Sequence, residues 1–290
     1  MIYTHSGLFH GDDVFAVAAA KLMGTWGEEV VRVRELPVQF NAQQNDIALD
    51  VGGVHNPSVD MFDHHQVGGQ DDGLAAIGKF WKYHGKVFLD TDLADRVWEV
   101  LLKSINDADI GVADWKPANQ ESRHVSASAL ISMMNADSAD GSDMAFEKAV
   151  EFAEIVLKNT IKQAKLFVEM RNAVKSGEYH FHDHVLVLDR PGPWQEHVLS
   201  NEALEDLIYV IYPSDRGGYM IQAVPDKLGS FGTRKSFPKH WRGLRGNELK
   251  FAIESSIDMD DGPELFCHPG GFIAGAATQE EALNMAYEAL

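Results

Sequence analysis

The feature that most constrains this chain is a repeated pairing in its first third. Short apolar segments there each run straight into a histidine or an aspartate. Met1–His5 ends in His5, Asp46–Val51 carries Asp50 just ahead of Gly52-Gly53, and Val59–Phe62 is followed at once by Asp63-His64-His65. Between them, Asp12–Met23 (DDVFAVAAAKLM) reads as an Ala-rich apolar helix opened by two carboxylates, and Glu29–Arg34 as a further strand. Strands alternating with helices predict an α/β domain, its mostly parallel sheet flanked by helices. In such sheets the ligand site lies outside the carboxyl ends of the strands. His5, Asp50 and the 63–65 cluster all fall just past predicted strand ends.

Downstream, the apolar spacing predicts helices over roughly 74–84, 92–106, 126–134 and 143–175, with Gly177 as a stop and Asn135–Asp143 as a polar loop. The pattern then changes to strands at Tyr179–Leu188, Leu207–Tyr212, Tyr219–Val224 and Gly271–Ala277, with a closing helix at Gln279–Leu290. This shift divides the chain into residues 1–177 and a smaller α/β domain, 178–290.

Composition narrows the function. A formal net charge of -19 argues against a general nucleic-acid coat or an anionic-membrane partner, because the long-range field repels polyanions. A phosphate substrate remains compatible, since bound divalent cations invert the local field. Cys267 is the only cysteine, so no intrachain disulfide forms and a reducing compartment is expected. The start, Met1-Ile2-Tyr3-Thr4-His5, lacks the basic and apolar regions of a secretory signal, and no apolar run approaches membrane-spanning length. The expectation is a cytoplasmic protein without a membrane partner.

Five clusters carry chemistry: His5; His10-Gly11-Asp12-Asp13; Asp50; Asp63-His64-His65; and Asp107-Ala108-Asp109. Taken singly each has an ordinary reading. Asp12-Asp13 would stabilise a helix N-terminus, and Asp50 before two glycines would serve a turn. Together they supply enough carboxylates and imidazoles for two hard divalent cations, which need a bridging carboxylate and several terminal ligands.

The segments THSGLFHGDD, IALDVGG, FDHHQ and DADIG resemble the successive metal motifs of the DHH phosphoesterase superfamily. The closer resemblance is to the melanocyte proliferating gene family, described as metal-dependent hydrolases and, in eukaryotes, RNA exonucleases. It continues through RPGPWQEHVL, YMIQAVP, TRKSFPKHWRGLRGNEL and CHPGGFIAGAATQEEALNMA, so it covers nearly the whole chain. The resemblance implies that His5, His10 and Asp50 hold one cation, and that Asp12, Asp50, His64 and Asp109 hold the second, with Asp50 bridging. His65 would lie beside the substrate phosphate and Asp63 would orient the histidines. The implied cofactor is a pair of divalent cations, Mn²⁺ first, with Mg²⁺ and Co²⁺ as alternatives. Asp13 stands where the family often has glutamate. Ile110 stands where asparagine often follows the ligand aspartate, which keeps Asp107 open beside Asp109.

In the second half, no acidic residue falls between Asp226 and Glu248, whereas Lys227, Arg234, Lys235, Lys239, Arg242 and Arg245 all do. Phe231, Phe237 and Trp241 interleave with them, a pattern suited to phosphates and unstacked bases. Arg234, Lys235 and Arg242 are the expected phosphate contacts. His268-Pro269-Gly270-Gly271 reads either as a substrate loop, with His268 and the backbone of Gly270 and Gly271 facing an anion, or as a plain turn before a strand. His180, His182 and His184 read as one face of a wet strand. Asp258, Asp260 and Asp261 lack the closing glutamate of a calcium loop, and Cys267 reads as structural.

The expected function is a two-metal phosphodiesterase acting on short single-stranded RNA or oligonucleotides from one end, of the 3'-5' exonuclease kind. The alternatives are a phosphohydrolase for a small ester, such as a pyrophosphate or cyclic dinucleotide, and a metal-dependent nucleotide-binding module without turnover. A homodimer is left open.

Overall fold

The first strand, β1 (Ile2–His5), is the centre of a five-stranded sheet in the order β2-β1-β3-β5-β4. β2 (Val30–Val33) and β3 (Ile47–Leu49) flank it in parallel, and β5 (Met61–Phe62) runs parallel to β3. Only β4 (His55–Asn56) is antiparallel. The chain leaves β1 for β2 on one side and returns to β3 on the other, which puts a topological switch at the carboxyl ends of β1 and β3. His5 ends β1 and Asp50 directly follows β3.

In the computed structural model, residues 1–66, 72–112, 125–135, 142–176, 180–230, 232–253 and 257–290 are described. They form two compact units, Met1–Lys165 and Leu166–Leu290. In the first, helix α1 (Gly11–Met23) is buried from Gly11 to Ala20, which explains a helix apolar nearly all round. It packs with α2 (Ala76–Phe88) in the main core, where Phe15, Phe62, Phe80 and Trp81 meet. On the other sheet face, Tyr3, Ala48 and Val51 are covered by Leu36 and Phe40 of the β2–β3 connection. The stretch read as one helix over 92–106 is in fact α3 (Thr91–Val97), a π-helical turn at Trp98–Leu102 and α4 (Lys103–Asp109). Asp109 is therefore the last residue of a helix. Asn106, buried in α4, accepts from Ala75 N at 2.9 Å and so ties α4 to the start of α2. α5 spans Ala127–Met133 and α6 Ser142–Ser176.

The division into units falls within α6, because Met170 packs in the second unit against Leu186, Leu188 and Trp194. The expected stop Gly177 and most of the expected loop Asn135–Asp143 lie outside the described residues. The second unit holds a six-stranded sheet, β10-β11-β9-β8-β7-β6, antiparallel except for β7 and β8. The single strand expected over 179–188 is a hairpin of β6 (His180–His182) and β7 (Val185–Val187), turned by Asp183 at φ 50. His184 therefore sits past the turn and does not continue a histidine face. β8 is Tyr209–Pro213, β9 Tyr219–Ala223, β10 Phe266–Cys267 and β11 Ile273–Ala276. α8 (Gly246–Ile253) and α9 (Gln279–Glu288) cover one face, while α7 (Trp194–Leu199) packs on the other.

Candidate metal centre

The loop from β1 into α1 is held before any ligand is considered. Asn135 clamps Phe9, accepting from its N at 3.0 Å and donating to its O at 2.9 Å. Arg32, its side chain almost wholly covered, donates to Gly7 O and Asp143. Asp13 accepts from His10 N at 2.8 Å and Val14 N at 2.9 Å, which fixes the first turn of α1. Each such bond contributes about 1 kcal/mol net. Together they aim His5, His10 and Asp12 toward the switch point.

Asp50 is the hub. Its backbone lies in the left-handed region at φ 55, a conformation short polar residues tolerate and functional sites often hold. One carboxylate oxygen is 3.5 Å from His5 Nε2, and the other is 3.3 Å from His64 Nε2 and 3.4 Å from His65 Nδ1. His64 Nε2 is also 3.3 Å from Asp109 Oδ2. Asp107 instead pairs with Lys103 and accepts from Asn106, so of the two it is Asp109 that stands beside His64. Two groups bring ligand atoms within 4.8 Å of one another: Asp50, His64 and His65, and His10, Asp12 and Asp109. This partition differs from the implied one, because His10 groups with Asp12 rather than with Asp50 and His65 joins Asp50. His5 stands at Asp50.

The donor set fits divalent cations on a structural ground. Both oxygens of Asp12 are buried without a hydrogen-bond partner among the described residues, while Asp50 Oδ1, Asp13 Oδ2 and His5 Nε2 are buried in ion-pair contacts within the cluster that form no well-aligned hydrogen bond. An uncompensated buried carboxylate costs several kcal/mol, and a bound cation removes that cost. Burial, followed by the charges of Asp50, Asp109 and Asp13, pushes the Asp12 carboxyl well above its usual range. Burial also raises Asp13, against the opposing contact with His5. His5 is pushed up to about 9: burial alone would lower it, but the contact with Asp13 and the charges of Asp13 and Asp50 outweigh that. His64 is raised chiefly by its contact with Asp50. Asp12 and Asp13, crowded by neighbouring carboxylates, thus hold their protons more tightly than usual without a cation, and ligation would displace them.

Asp63 is committed to positioning. It accepts from Gly53 N at 2.6 Å through one oxygen and from His65 N at 2.9 Å through the other, which also lies 3.0 Å from His65 Nδ1. Although burial opposes it, these donors hold Asp63 below the usual carboxylate range. His65 itself is 65% exposed at the side chain. Asp13 contributes as well, although the sequence pattern assigns it no ligand role. Its signal is the third position after His10, where a capping carboxylate belongs.

A family model named MYG1_exonuc, described as an uncharacterised protein family (UPF0160), matches residues 1–290. The chain belongs to the melanocyte proliferating gene (MYG1) family. It is similar to a MYG1 protein of Dictyostelium discoideum, 30% identical over all of this chain and 96% of that one. It is also similar to the MYG1 exonuclease of Homo sapiens, 28% identical over 98% of this chain and 84% of that one. Among solved structures, a pGpG-specific phosphodiesterase from Vibrio cholerae aligns over 99% of this chain and 96% of that one, at 11% identity. Its TM-score to this chain is 0.26.

In this MYG1 chain the second unit departs from the expected substrate surface. Phe237 and Trp241 are core residues: Phe237 stacks on Tyr209 at 4.8 Å and on Trp241 at 6.3 Å. They face no base, because burying their rings outweighs anything gained by exposing them. Phe231 lies outside the described residues. Arg234 Nη1 donates to Leu204 O at 2.7 Å and Leu207 O at 2.8 Å, which staples the side chain to the backbone. Arg242 Nε donates to Phe237 O at 2.9 Å and lies against Gly271. Lys235 is half-buried, and no hydrogen bond of its side chain is found among the described residues. In the 268–271 loop, Gly270 N donates to His268 Nδ1 at 3.0 Å and Gly271 N to His268 O at 2.8 Å. Both N–H groups are used inside the turn, as in a plain turn before a strand. Gly271 is required there, at φ +68 with Arg242 against the space of a side chain. Cys267 is buried, and burial lifts its thiol to about 11. No helix among the described residues is long and apolar enough to cross a membrane.

Proposed function

We propose that this protein is a divalent-cation-dependent phosphodiesterase that removes nucleotides from one end of short single-stranded RNA. The observation that carries the reading is the buried Asp12 carboxylate, neither oxygen of which has a hydrogen-bond partner among the described residues, grouped with His10 and Asp109 beside the Asp50 hub. Mammalian relatives carrying the name MYG1 exonuclease support a nucleic-acid substrate attacked from an end.

His10, Asp12 and Asp109 would hold one cation and Asp50 with His64 the other, with His5 at Asp50. The mixed imidazole and carboxylate set favours Mn²⁺ over Mg²⁺. Such cations, when bound, neutralise phosphoryl charge and activate water at neutral pH. The rest is the chain's own work. Asp13, buried against His5 at 3.1 Å, sets that imidazole's position. With Asp63 accepting the Nδ1 hydrogen, the imidazolium form of His65 would present its Nε2–H to a phosphate oxygen or to the leaving oxygen, which takes that proton as it departs. The crowded carboxylates repel a polyanion whenever cations are lacking, so activity is strictly metal-dependent.

The test is hydrolysis of bis-nitrophenyl phosphate and of end-labelled short RNA by purified protein with Mn²⁺, beside Asp50→Ala. Loss of turnover in the variant supports the reading. Equal residual rates in both would leave a binding module instead, and a preference for pyrophosphate or a cyclic dinucleotide under the same conditions would redirect the substrate.

A further inference from the structure

The Pro191–Glu196 segment (PGPWQE) borders two adjoining hollows of about 630 and 270 Å³, both formed within the second unit. They share Pro191 and Tyr212. Strand register explains their floor. Tyr212 pairs with Met220, Met220 with Gly275, and Gly275 with Phe266, so these four residues form one row across the sheet on the same face. The opposite face, with Tyr209, Ile211 and Ile221, is the core under α9. Gly275 makes the row possible: a side chain there would meet Phe266 Cε1 at 2.5 Å, so its absence lets the ring lean across the sheet. Arg245 sits over that ring, 5.4 Å from its centroid.

We propose that this sheet face is a platform for the unstacked bases of a single-stranded nucleic acid, the substrate class of the function proposed above, on which the inference rests. Three observations favour that occupant. The floor combines Tyr212 and Phe266 with the exposed Arg245 and Arg216, and aromatic faces beside guanidinium groups stack bases and pair phosphates. Gln222 Oε1 accepts from the Tyr212 hydroxyl at 2.9 Å, which leaves its amide NH₂ as a donor for a base edge. Glu264 and Asp215 line the same hollow and offer acceptors for exocyclic amines, while they exclude a phosphate from the β8–β9 turn. Mixed charge of this kind suits a nucleotide better than an apolar peptide. The basic segment seen in the sequence thus contributes through Arg245, paired with Phe266, and not through Phe237 or Trp241.

The experiment is fluorescence anisotropy with a fluorescein-labelled single-stranded RNA hexamer in EDTA, on the full chain, with thermal unfolding as the folding control. Arg245→Glu, at an exposed position, and Tyr212→Leu are each expected to weaken binding roughly 10- to 100-fold. If Tyr212→Leu unfolds, Arg245→Glu decides. Variants that melt like wild type and bind the hexamer unchanged overturn the proposal. So does light scattering that shows Arg245→Glu turning a dimer into a monomer with affinity unchanged, since the face would then belong to a second copy. A matched DNA hexamer bound within about threefold supports base stacking, and loss of DNA binding overturns it. Hydrolysis of bis-nitrophenyl phosphate by wild type with Mn²⁺ reads the metal centre separately. Its failure alone sinks the function, whereas unchanged hexamer binding in the variants sinks only the platform.

Discussion

The metal cluster of the first unit and the 268–271 loop in the second unit share a sequence pattern, since each sets histidine beside glycine in a segment next to a strand. Their hydrogen-bond accounts are opposite. Around Asp12 and Asp50, both Asp12 oxygens are buried with no hydrogen-bond partner among the described residues, and Asp13 Oδ2, Asp50 Oδ1 and His5 Nε2 meet other members of the cluster without a well-formed hydrogen bond. In the loop, the His268 ring and carbonyl satisfy both glycine N–H groups. A buried polar atom without a partner costs about 1–3 kcal/mol, and more when it is charged. The first arrangement persists only where something else completes it, while the other is complete as folded. Polar residues signal a ligand site when the fold leaves their demands unmet, and their mere presence near a turn does not.

The largest test of that contrast is Asp50→Ala, expected to lower metal-dependent hydrolysis by on the order of 10³-fold, whereas His268→Ala lowers it far less. Steady-state rates at saturating Mn²⁺ check both.

Metal affinity should next rise steeply with pH. Ligation displaces protons from His5 and Asp12, giving about tenfold per pH unit for each proton lost. The metal-free protein should show the reverse trend. The His5 contribution is fully present below its unfolded pKa of 6.5 and is lost as pH rises through about 9. Asp12, raised on folding, loses stability as pH climbs above 3.8. Calorimetric titration with Mn²⁺ and melting in EDTA, each at several pH values from 6 to 9, measure the two slopes. A flat affinity profile would break the contrast.

Asp63→Asn should reduce activity or metal affinity by roughly 10- to 100-fold, the usual cost of losing a group that orients a site histidine. Its readout is the pH–rate profile, which shifts if His65 loses its orienting acceptor. The smallest effect belongs to Arg234→Gln, expected to cost about 2 kcal/mol in urea unfolding through its two carbonyl bonds. A large fall in RNA affinity with stability intact would restore Arg234 as a phosphate contact.

The same contrast explains how much of the molecule is legible from its residues in order. The meeting of His5, Asp50 and the 63–65 cluster is readable because chain direction and strand period suffice: a residue that ends β1 or falls just past β3 or β5 must lie at the carboxyl edge of a parallel sheet. Asp109 is harder to assign, since the choice against Asp107 depends on where α4 ends and on Lys103 one turn earlier. The second unit misleads because the letters of a basic, aromatic surface are also those of a core ring stack with an arginine staple. The register that puts Tyr212 and Phe266 in one row across four strands joins residues more than fifty positions apart.

By itself, the sequence determined the α/β order of the first unit, the ends of its strands and the donor types gathered there, because these follow from local periodicity. Only the tertiary structure decided which donors share a group, which carboxylates are left without partners and which aromatic rings face outward. Those properties depend on burial and on contacts between distant segments, where each side chain meets neighbours that no local pattern specifies.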